Sequence, residues 1–295
     1  MFHAQSRLRK SLLVFWIIAV LCMSVPACSK LTAVAIPQLT LPEPRLSEEE
    51  MREFLLKAKV VASKTTQKGI TSPYQLTLSD GKITHLAAFQ AIDEYKASMQ
   101  FFDGTSEPNF RDSYKYDIAA FELAMLLGLG DMMPVTVERK WNGKTGAISW
   151  WLPVKMDEAT RLNKRIEPPD VDAWNRQMYK KRIFAELVYD TDPNLTNVLI
   201  SEDWHLWMID LSRGFRLYKE LKNPKNITES KCERNLLEKL RKLDPRELTQ
   251  KTSKYLTKGE IEAVMARRDK IVKIYEDLIA KKGETEVLYG DPIIK

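Results

Sequence analysis

Three polar residues in the segment 189–215 could together carry out metal-assisted chemistry. Asp192 and Asn197 stand in the order Asp-x-x-x-x-Asn, and Asp210 ends a short apolar stretch. Transfer of a phosphoryl group needs a carboxylate that orients the incoming hydroxyl, and oxygen ligands that hold Mg²⁺ against the phosphates. The order of these residues predicts Asp192 as the catalytic carboxylate and Asn197 and Asp210 as metal ligands. The alternative is that they only cap turns, as Asp-Pro-Asn sequences often do.

The elements that would position these residues are a helix before the loop and a hairpin after it. Two short apolar runs flank a polar turn at residues 202–203, which predicts an antiparallel hairpin. That hairpin would bring Asn197 and Asp210 together. The helix is predicted from apolar residues at helical spacing, namely Val171, Trp174, Met178, Phe184, Leu187 and Val188.

Two more hairpins are predicted upstream, each with a dipeptide that favours a tight turn. The first has Asp-Gly at residues 80–81, and the second has Asn-Gly at residues 142–143. A polar stretch before the first hairpin contains Lys68 and Gly69, and its backbone N–H groups could cover the phosphates of a nucleotide. The alternative interpretation is an ordinary surface loop, because the stretch holds a single glycine.

The order of helix, loop and hairpins resembles the protein-kinase-like superfamily. Within it, the chain is most similar to the phosphatidylinositol 3- and 4-kinase-like group, which includes bacterial persistence-toxin kinases and secretory-pathway kinases. The resemblance covers about residues 64–215 and is carried by Asp192, Asn197 and Asp210. It implies an α+β, bilobal fold with a small antiparallel β lobe and a mostly helical large lobe. It also implies ATP and Mg²⁺ as cofactors and transfer of phosphate to a hydroxyl acceptor.

Three positions depart from the pattern of that superfamily. Asp190-Thr191 replaces His-Arg, and Leu211-Ser212 replaces Phe-Gly after the metal-binding aspartate. Gln90 occupies the strand position where the superfamily carries a lysine that grips the nucleotide phosphates and pairs with an acidic residue of the following helix. Glutamine can donate a hydrogen bond to a phosphate, but it cannot neutralise the phosphate charge.

The resemblance implies further nucleotide contacts. The helix near residues 116–123 offers Asp117 or Glu122 as the acidic partner. Trp151 lies in the expected link between the lobes, where an adenine ring could stack, although paired tryptophans in an apolar strand are more often core residues. The charge missing at position 90 could come from one of four lysines, Lys68, Lys82, Lys96 or Lys115.

The start of the chain has the composition of an export signal. Three basic residues precede an apolar run over residues 12–23, and small residues follow it. Cleavage after Ala27 would make Cys28 the first residue, which resembles the lipid-attachment site of bacterial lipoproteins. Ordinary cleavage there or after Ala35, and retention as an anchor, are the alternatives. We expect the rest of the chain to be exported to the periplasm or another extracytoplasmic space, with Cys28 as a candidate point of membrane attachment.

The same patterns predict where the segments of the chain begin and end. They are a signal segment 1–27, a tether 28–46, a small nucleotide-binding lobe 47–153 and a helical large lobe 154–295. Ser47 and Glu50 form a capping box that starts a helix at the head of the small lobe. The apolar face of this helix is predicted to hold Met51, Phe54, Leu55, Ala58 and Val61.

Composition excludes several classes of function. The formal net charge is +6, but residues 1–30 contain four of the 46 Lys and Arg residues and none of the 40 Asp and Glu residues. The remainder is therefore close to neutral, and no nucleic acid partner is expected. Three cysteines and three histidines in 295 residues give no basis for a disulfide framework and argue against a zinc enzyme.

Two functions remain open from the sequence. The first is a phosphotransferase that moves phosphate from ATP to a hydroxyl of a protein, lipid or glycan. The second is a kinase-fold protein that has lost transfer activity and serves as a binding or scaffold module in the cell envelope. Gln90 and the export signal favour the second, because ATP is scarce outside the cytoplasm. The retained Asp192, Asn197 and Asp210 favour the first.

Overall fold

The computed structural model describes residues 46–65, 73–102 and 104–291. The predictions made for Lys68, Gly69, Cys28 and the signal segment lie outside the described residues. The helices are α1 Glu48–Lys57, α2 Tyr114–Leu127, α3 Glu158–Asn163, α4 Val171–Val188, α5 Lys225–Thr228, α6 Arg234–Lys242, α7 Pro245–Thr252, α8 Lys258–Lys282 and α9 Glu284–Val287. The strands are β1 Lys59–Thr65, β2 Tyr74–Ser79, β3 Thr84–Gln90, β4 Asp93–Gln100, β5 Ser106–Ser113, β6 Thr136–Trp141, β7 Lys144–Trp150, β8 Met156–Asp157, β9 Val198–Ile200, β10 Leu206–Met208, β11 Cys232–Glu233 and β12 Leu288–Tyr289.

Helix α1 begins at the predicted residue but ends before Val61. The Ser47 side chain accepts a hydrogen bond from the Glu50 N–H, and the Glu50 carboxylate accepts one from the Ser47 N–H, as the capping box predicts. The prediction that Val61 lies on the apolar face of the helix is wrong. Ala58 already has extended backbone (ψ 142°), and Val61 lies in β1 with 60% of its surface exposed. The β-branched pair Val60 and Val61 favours a strand, which pairs with β2.

Five antiparallel strands form one sheet in the order β1-β2-β3-β7-β6. The β2–β3 and β6–β7 hairpins turn where the sequence predicted. Asn142 and Gly143 both have positive φ, 48° and 76°, which explains why this dipeptide stands at the second turn. Because β3 and β7 are neighbours, Gln90 lies opposite Ala147. The end of β3 and the strand that leads to Trp151 are thus side by side.

Helix α2 packs against β6 and β7 of this sheet. It is apolar on nearly every side, as is typical of a helix enclosed in a core, and its buried residues include Ile118, Phe121 and Leu123. It ends at Gly128, whose φ of 69° lies in the left-handed region that glycine adopts without strain. Asp117 is one of three charged residues in this mostly apolar helix, with Lys115 and Glu122.

Strands β4 and β5 form a separate hairpin that the sequence analysis did not predict. Both of its faces are largely exposed, so the alternation of apolar and polar residues that marks a half-buried strand is missing. The sequence signal that was available is Asp103-Gly104, a dipeptide favoured in hairpin turns. The hairpin is tied to the loop after Asp210 by a hydrogen bond of 2.9 Å from the Ser113 N–H to the Ser212 carbonyl.

The rest of the fold is mostly helical. Helix α8 packs against α4, α5, α6 and α7, and its buried residues include Ile271 and Tyr275. Strands β8, β9 and β10 form a small antiparallel sheet beside these helices, and β11 pairs with β12 in parallel. The expected α+β architecture, a small antiparallel sheet region followed by a mostly helical region, is confirmed. No helix in the described ranges has both the length and the apolar composition that crossing a membrane requires.

Candidate active site

A cleft of about 630 Å³ opens where the five-stranded sheet meets the helical region. Its walls include Gln90 from β3, Ser149 from β7 and the segment that follows β7. Asp117 from α2, and Met208 and Asp210 from the end of the β9–β10 hairpin, also line the cleft. Elements from both parts of the fold therefore contribute polar side chains to one concave space, which is the usual form of a ligand site.

The β9–β10 hairpin positions Asp210. Val198 pairs with Met208, and the Ile209 N–H donates a hydrogen bond of 3.1 Å to the Asn197 carbonyl. The chain then turns sharply, because Asp210 has a φ of 56°, a left-handed conformation that is uncommon for a residue with a side chain. The hairpin thus brings the Asn197 backbone beside the segment that carries Asp210, and a metal site shared by the two side chains stays a prediction.

Asp117 reaches the same segment from helix α2. Its Oδ1 accepts a hydrogen bond of 2.8 Å from the N–H of Leu211, the residue that follows Asp210. Burial, together with the nearby negative charge of Asp210, raises the pKa of Asp117 well above its ordinary value. The carboxylates of Asp117 and Asp210 thus lie at the same end of the cleft, and the charge of Asp210 disfavours ionisation of Asp117.

Many protein atoms surround Asp210 and displace water from it, although the residue is partly exposed to solvent through the cleft. This loss of hydration raises the pKa of Asp210 to about 6, and the charges of Asp112, Asp192 and Asp190 contribute to the rise. A hydrogen bond of 3.0 Å from the Ser212 hydroxyl opposes it.

The arrangement of Asp117 and Asp210 fits a magnesium ion that is shared with a nucleotide. Their recorded hydrogen bonds come from the Leu211 N–H and the Ser212 hydroxyl, and in the described part of the chain neither carboxylate forms a salt bridge with a Lys or Arg side chain. Mg²⁺ commonly binds one or two protein carboxylates and completes its octahedral shell with phosphate oxygens and water. Within the same ranges, no group of three or more His, Cys, Asp or Glu side chains is arranged to hold a metal ion. A metal at this place would therefore take its remaining ligands from phosphates and water.

Asp192 lies in the loop that follows α4. The carboxylate of Asp190 accepts a hydrogen bond of 2.9 Å from the Asp192 N–H, and the Asp190 carbonyl accepts one of 2.9 Å from Lys222 Nζ. Burial raises the pKa of Asp190, while that hydrogen bond and the charges of Lys181 and Lys222 oppose the rise. The side chain of Asp192 is 41% exposed, and its Oδ2 lies 3.5 Å from Arg213 Nη1. Asp190 thus caps the loop and leaves Asp192 accessible to a second substrate.

The end of β3, where a phosphate-binding lysine is expected from the resemblance, places Gln90 in the cleft wall. Gln90 Nε2 is buried and has no hydrogen-bond partner among the described residues. Gly146 lies beside it, and a Cβ added there would overlap the Gln90 carbonyl oxygen. The positively charged residues that line the cleft in the described ranges are Lys155 and Lys164, of which Lys155 lies 3.0 Å from a carboxylate oxygen of Glu202.

Two of the four lysines proposed as substitutes are engaged elsewhere, and a third, Lys82, is exposed in the β2–β3 turn and does not line the cleft. Lys115 and Lys96 form salt bridges of 2.6 and 3.1 Å with acidic residues of β4. Glu122, the alternative acidic partner on α2, forms a salt bridge of 2.7 Å with Arg52 of α1. Asp117 is therefore the acidic residue that α2 contributes to the cleft.

The link after β7 forms the wall where a nucleotide base would lie. The Trp151 N–H donates to the Leu86 carbonyl over 3.1 Å, and the Trp151 carbonyl lies 3.2 Å from His85 Nε2. The His85 ring also stacks on Trp150, with ring centroids 3.8 Å apart. Leu152, the next residue in the cleft wall, makes no backbone–backbone hydrogen bond within the described residues. Its N–H and C=O are the groups of this link that a base edge could use.

Solved structures share this arrangement of elements. The structure of hydra Fam20 with sugar superposes with a TM-score of 0.63 at 17% sequence identity, over 83% of this chain and 93% of that chain. The fold is protein-kinase-like. The Helicobacter pylori proinflammatory kinase CtkA superposes with a TM-score of 0.48 at 9% identity, over 80% of this chain and 99% of that chain. No family model and no curated protein matches the sequence, and membership of the phosphatidylinositol kinase-like group stays a prediction.

The structure brings four of the predicted site residues to one place within the kinase-like fold. Gln90, Asp117, Trp151 and Asp210 line the cleft. Asn197 is half-buried beside the Asp210 segment, and its side chain is not part of the cleft wall. Asp192 also lies outside the wall, in the neighbouring loop, where its charge contributes to the raised pKa of Asp210.

Two carboxylates of the β4–β5 hairpin, Asp112 and Glu107, were not predicted from the sequence. Asp112 has a raised pKa because it is buried, and its Oδ1 has no hydrogen-bond partner among the described residues. Glu107 forms salt bridges with Arg213 and Arg216, which follow Asp210 in the chain. Only the Asp-Gly dipeptide at residues 103–104 could have indicated the hairpin that carries both.

Proposed function

We propose that this protein is a kinase-like phosphotransferase that moves the γ-phosphate of ATP to a hydroxyl group. The observation that carries the proposal is the pair Asp117 and Asp210 at one end of the cleft. Both have raised pKa values, and within the described ranges neither forms a salt bridge with a Lys or Arg side chain. Crowded carboxylates without a counter-charge cost free energy, and groups with such perturbed pKa values concentrate at functional sites. A metal–nucleotide complex would supply the missing positive charge.

Asp192 is the residue proposed to act on the acceptor. Its exposed carboxylate would accept a hydrogen bond from the acceptor O–H and take the proton as the new bond between that oxygen and the γ-phosphorus forms. The bond between the γ-phosphorus and the bridging oxygen breaks in the same step, and ADP leaves with that oxygen. The proton then passes from Asp192 to solvent.

The remaining residues of the site are assigned by position. Asp117 and Asp210 would hold Mg²⁺, and Asn197 is the candidate third ligand. When bound, the ion neutralises charge on the phosphate oxygens. Gln90 Nε2, which is buried without a partner among the described residues, would donate a hydrogen bond to a phosphate oxygen. Trp151 would form part of the wall against which the base packs.

The acceptor and the location of the protein are proposed only as a chemical class and a compartment. The acceptor is a hydroxyl of a protein, lipid or glycan, and a glycan is the first class to test because hydra Fam20 was solved with sugar. The composition of residues 1–27 supports export, with or without lipid attachment at Cys28. The intact mass of the membrane-fraction protein tests attachment, since a diacylglyceryl group adds a discrete increment.

A second candidate function is a kinase-fold binding or scaffold protein without transfer activity. The observation that favours it is Gln90, because Lys155 and Lys164, the positively charged residues that line the described cleft, lie beyond β7 rather than in β3. Without a cation at the end of β3, a bound nucleotide would rely on the metal for charge neutralisation. The two candidates differ in turnover and do not differ in fold.

Thermal stabilisation by nucleotide tests the proposal. We expect ATP with Mg²⁺, and not ATP with EDTA, to raise the melting temperature of the wild-type protein, because the metal joins Asp210 to the phosphates. Asp210→Ala should abolish this increase. Asp277→Ala, which removes an exposed aspartate of α8, is the matched control and should respond as wild type does. If no nucleotide stabilises the wild-type protein in the presence of metal, the proposal is wrong.

Transfer itself is tested with γ-labelled ATP and panels of protein, lipid and glycan acceptors. Asp192→Ala should retain metal-dependent stabilisation by ATP and lose labelling of the acceptor. Stabilisation without labelling or phosphate release by the wild-type protein would favour the binding or scaffold function.

A further inference from the structure

We propose that Glu107, in strand β5, is a positioning residue that acts on Asp192 through Arg213. This inference rests on the proposed role of Asp192 as the carboxylate that orients the acceptor. It assigns a function to the β4–β5 hairpin, which inserts between β3 and α2 and forms its own two-stranded sheet.

Glu107 joins two arginines of the segment that follows Asp210. One carboxylate oxygen of Glu107 pairs with Arg213 Nη2, and the other accepts hydrogen bonds of 2.6 and 3.1 Å from Nη2 and Nε of Arg216. The exposed fractions of these side chains are 16% for Glu107, 15% for Arg213 and 6% for Arg216. Ion pairs so well shielded from water are held in a defined geometry, unlike exposed pairs.

The hairpin also fixes the plane of the Arg213 guanidinium. Its central carbon lies 5.1 Å from the ring centroid of Phe101 and 5.2 Å from that of Phe110, which come from the two sides of the hairpin. The third contact of this guanidinium is with Asp192, where Nη1 lies 3.5 Å from Oδ2. Within the described residues, the salt bridge that Asp192 forms is this one with Arg213.

Arg216 connects the same carboxylate to the catalytic loop. Its Nη2 donates to the Arg111 carbonyl over 2.8 Å and to the Thr191 hydroxyl over 3.2 Å. The Thr191 hydroxyl in turn donates to the Arg213 carbonyl over 3.0 Å. Glu107 therefore holds both arginines that contact the two residues 191 and 192.

The separation between Arg213 and Asp192 shows why Glu107 matters. A charge-assisted hydrogen bond between guanidinium and carboxylate is usually about 2.7–2.9 Å long, whereas this pair is 3.5 Å apart. Glu107 and the two phenylalanines retain the guanidinium on the hairpin side. Without Glu107, the nearest remaining carboxylate for Arg213 is Asp192, and a tight pair between them would occupy the oxygen that the acceptor hydroxyl needs.

The test is Mg²⁺-dependent hydrolysis of ATP by the full chain, with water in place of the acceptor. We expect Glu107→Gln, which keeps the shape of the side chain and removes its charge, to lower kcat by about tenfold to a hundredfold, since small displacements of a catalytic group have effects of this size. The KM for ATP should stay within about twofold of wild type, because the nucleotide site is not touched. In an Arg213→Met background, Glu107→Gln should cause no further loss.

Glu94→Gln is the matched control. Glu94 lies on the same hairpin, is 44% exposed and pairs with Lys96, so its loss should leave kcat unchanged. Should Glu107→Gln fail to fold, Arg213→Lys retains the charge without the fork and should show the same selective loss of kcat. An unchanged kcat in Glu107→Gln, or losses that simply add in the double variant, would overturn the proposal.

Amide hydrogen exchange separates this inference from the proposed function. If the wild-type protein does not hydrolyse ATP, the proposed role of Asp192 fails, but the ordering of the loop can still be measured. Faster exchange of the amides of residues 190–192 in Glu107→Gln than in Glu94→Gln supports positioning by Glu107. Equal exchange in the two variants overturns it.

Discussion

Asp117 of helix α2 fixes the backbone directly after Asp210, because its carboxylate accepts the N–H of Leu211 over 2.8 Å. The Asp117 carboxylate thus positions the turn that carries Asp210. Burial and the charge of Asp210 raise the pKa of Asp117. The hydrogen bond from the Leu211 N–H opposes that rise. It also ties the helix that packs on the sheet to the hairpin of the helical region, so that the shape of the cleft depends on both.

The first prediction concerns pH. The pKa of Asp210 is about 6, above its ordinary value of 3.8, so Asp210 favours the folded state most below pH 3.8. That stabilisation falls as the pH rises through 6. Mg²⁺ needs the ionised carboxylate, and we expect its affinity to fall by up to about tenfold for each pH unit below 6. Mg²⁺-dependent stabilisation by ATP, measured from pH 5 to 8, should follow this curve.

Asp210→Asn is the control for the pH prediction. It should remove the metal-dependent stabilisation and should also flatten the decrease in metal-free melting temperature between pH 4 and 6. A wild-type metal affinity that stays constant across this range would contradict the assignment of Asp210 as a ligand.

The second prediction concerns Gly146, which lies against the end of β3. A Cβ at this position would overlap the Gln90 carbonyl oxygen and lie 2.9 Å from Phe89 Cζ. Because the first of these atoms belongs to the backbone, Gly146→Ala should lower the free energy of unfolding by about 2 kcal/mol or more and disturb the cleft. Denaturation by urea measures the loss.

Gly259→Ala is the comparison for Gly146. Its Cβ would lie 3.2 Å from Cδ2 of Leu217, an exposed side chain that can move. The substitution is in helix α8, where alanine is favoured over glycine by about 0.5–1 kcal/mol. Equal changes in the free energy of unfolding for Gly146→Ala and Gly259→Ala would show that the close approach of position 146 to Gln90 does not determine stability.

Local patterns predicted the parts of the fold that depend on neighbours in sequence. The capping box at Ser47, the Asn-Gly turn at residues 142–143 and the β9–β10 hairpin all have short-range causes, and all occur in the structure. The same reasoning placed Asn197 beside the Asp210 segment. Val61 was assigned wrongly because its spacing suits a helix, whereas pairing with β2 decides its conformation.

The parts that could not be predicted depend on pairing across long stretches of chain. The salt bridge of Glu107 with Arg213 joins residues 106 positions apart, and neither residue belongs to a recognisable motif. The salt bridge of Arg52 with Glu122 likewise removes Glu122 from the cleft. Side-chain partners of this kind are set by how α1, α2 and the β4–β5 hairpin pack, which residue types alone do not specify.

The third prediction concerns the effect of the residue at position 90 on the affinity for ATP. Gln90→Lys would add a positive charge to the cleft that Asp117 and Asp210 share. Hydrogen bonds to charged groups contribute about 1.5–3 kcal/mol, so we expect the affinity for ATP to rise about tenfold or more. Calorimetric titration with ATP and Mg²⁺ measures the change. Gln90→Met, which has a similar length and no charge, should not bind more tightly, and equal affinities for the Lys and Met variants would show that position 90 does not contact the phosphates.

The fourth prediction concerns Arg267, which is fully buried in helix α8. Its Nε donates to the Leu187 carbonyl over 2.8 Å, and its Nη1 donates to the Arg216 carbonyl over 3.0 Å and to the Tyr218 carbonyl. Burial lowers the pKa of Arg267 to about 10. The side chain thus joins the end of α4, just before the loop that carries Asp192, to the segment that follows Asp210.

Removing this guanidinium leaves three carbonyls without their donor. We expect Arg267→Met to lower the free energy of unfolding by about 3 kcal/mol, since buried unsatisfied polar groups cost about 1–3 kcal/mol each and packing recovers part of the loss. Arg267→Lys should recover little, because one ammonium cannot span the three acceptors. Arg241→Met, which removes a partly exposed arginine paired with Glu238, should cost less than about 1 kcal/mol. If urea denaturation gives the same midpoint for the variants at 267 and 241, Arg267 does not hold the two segments together, and the positioning of Asp192 would rest on the β4–β5 hairpin.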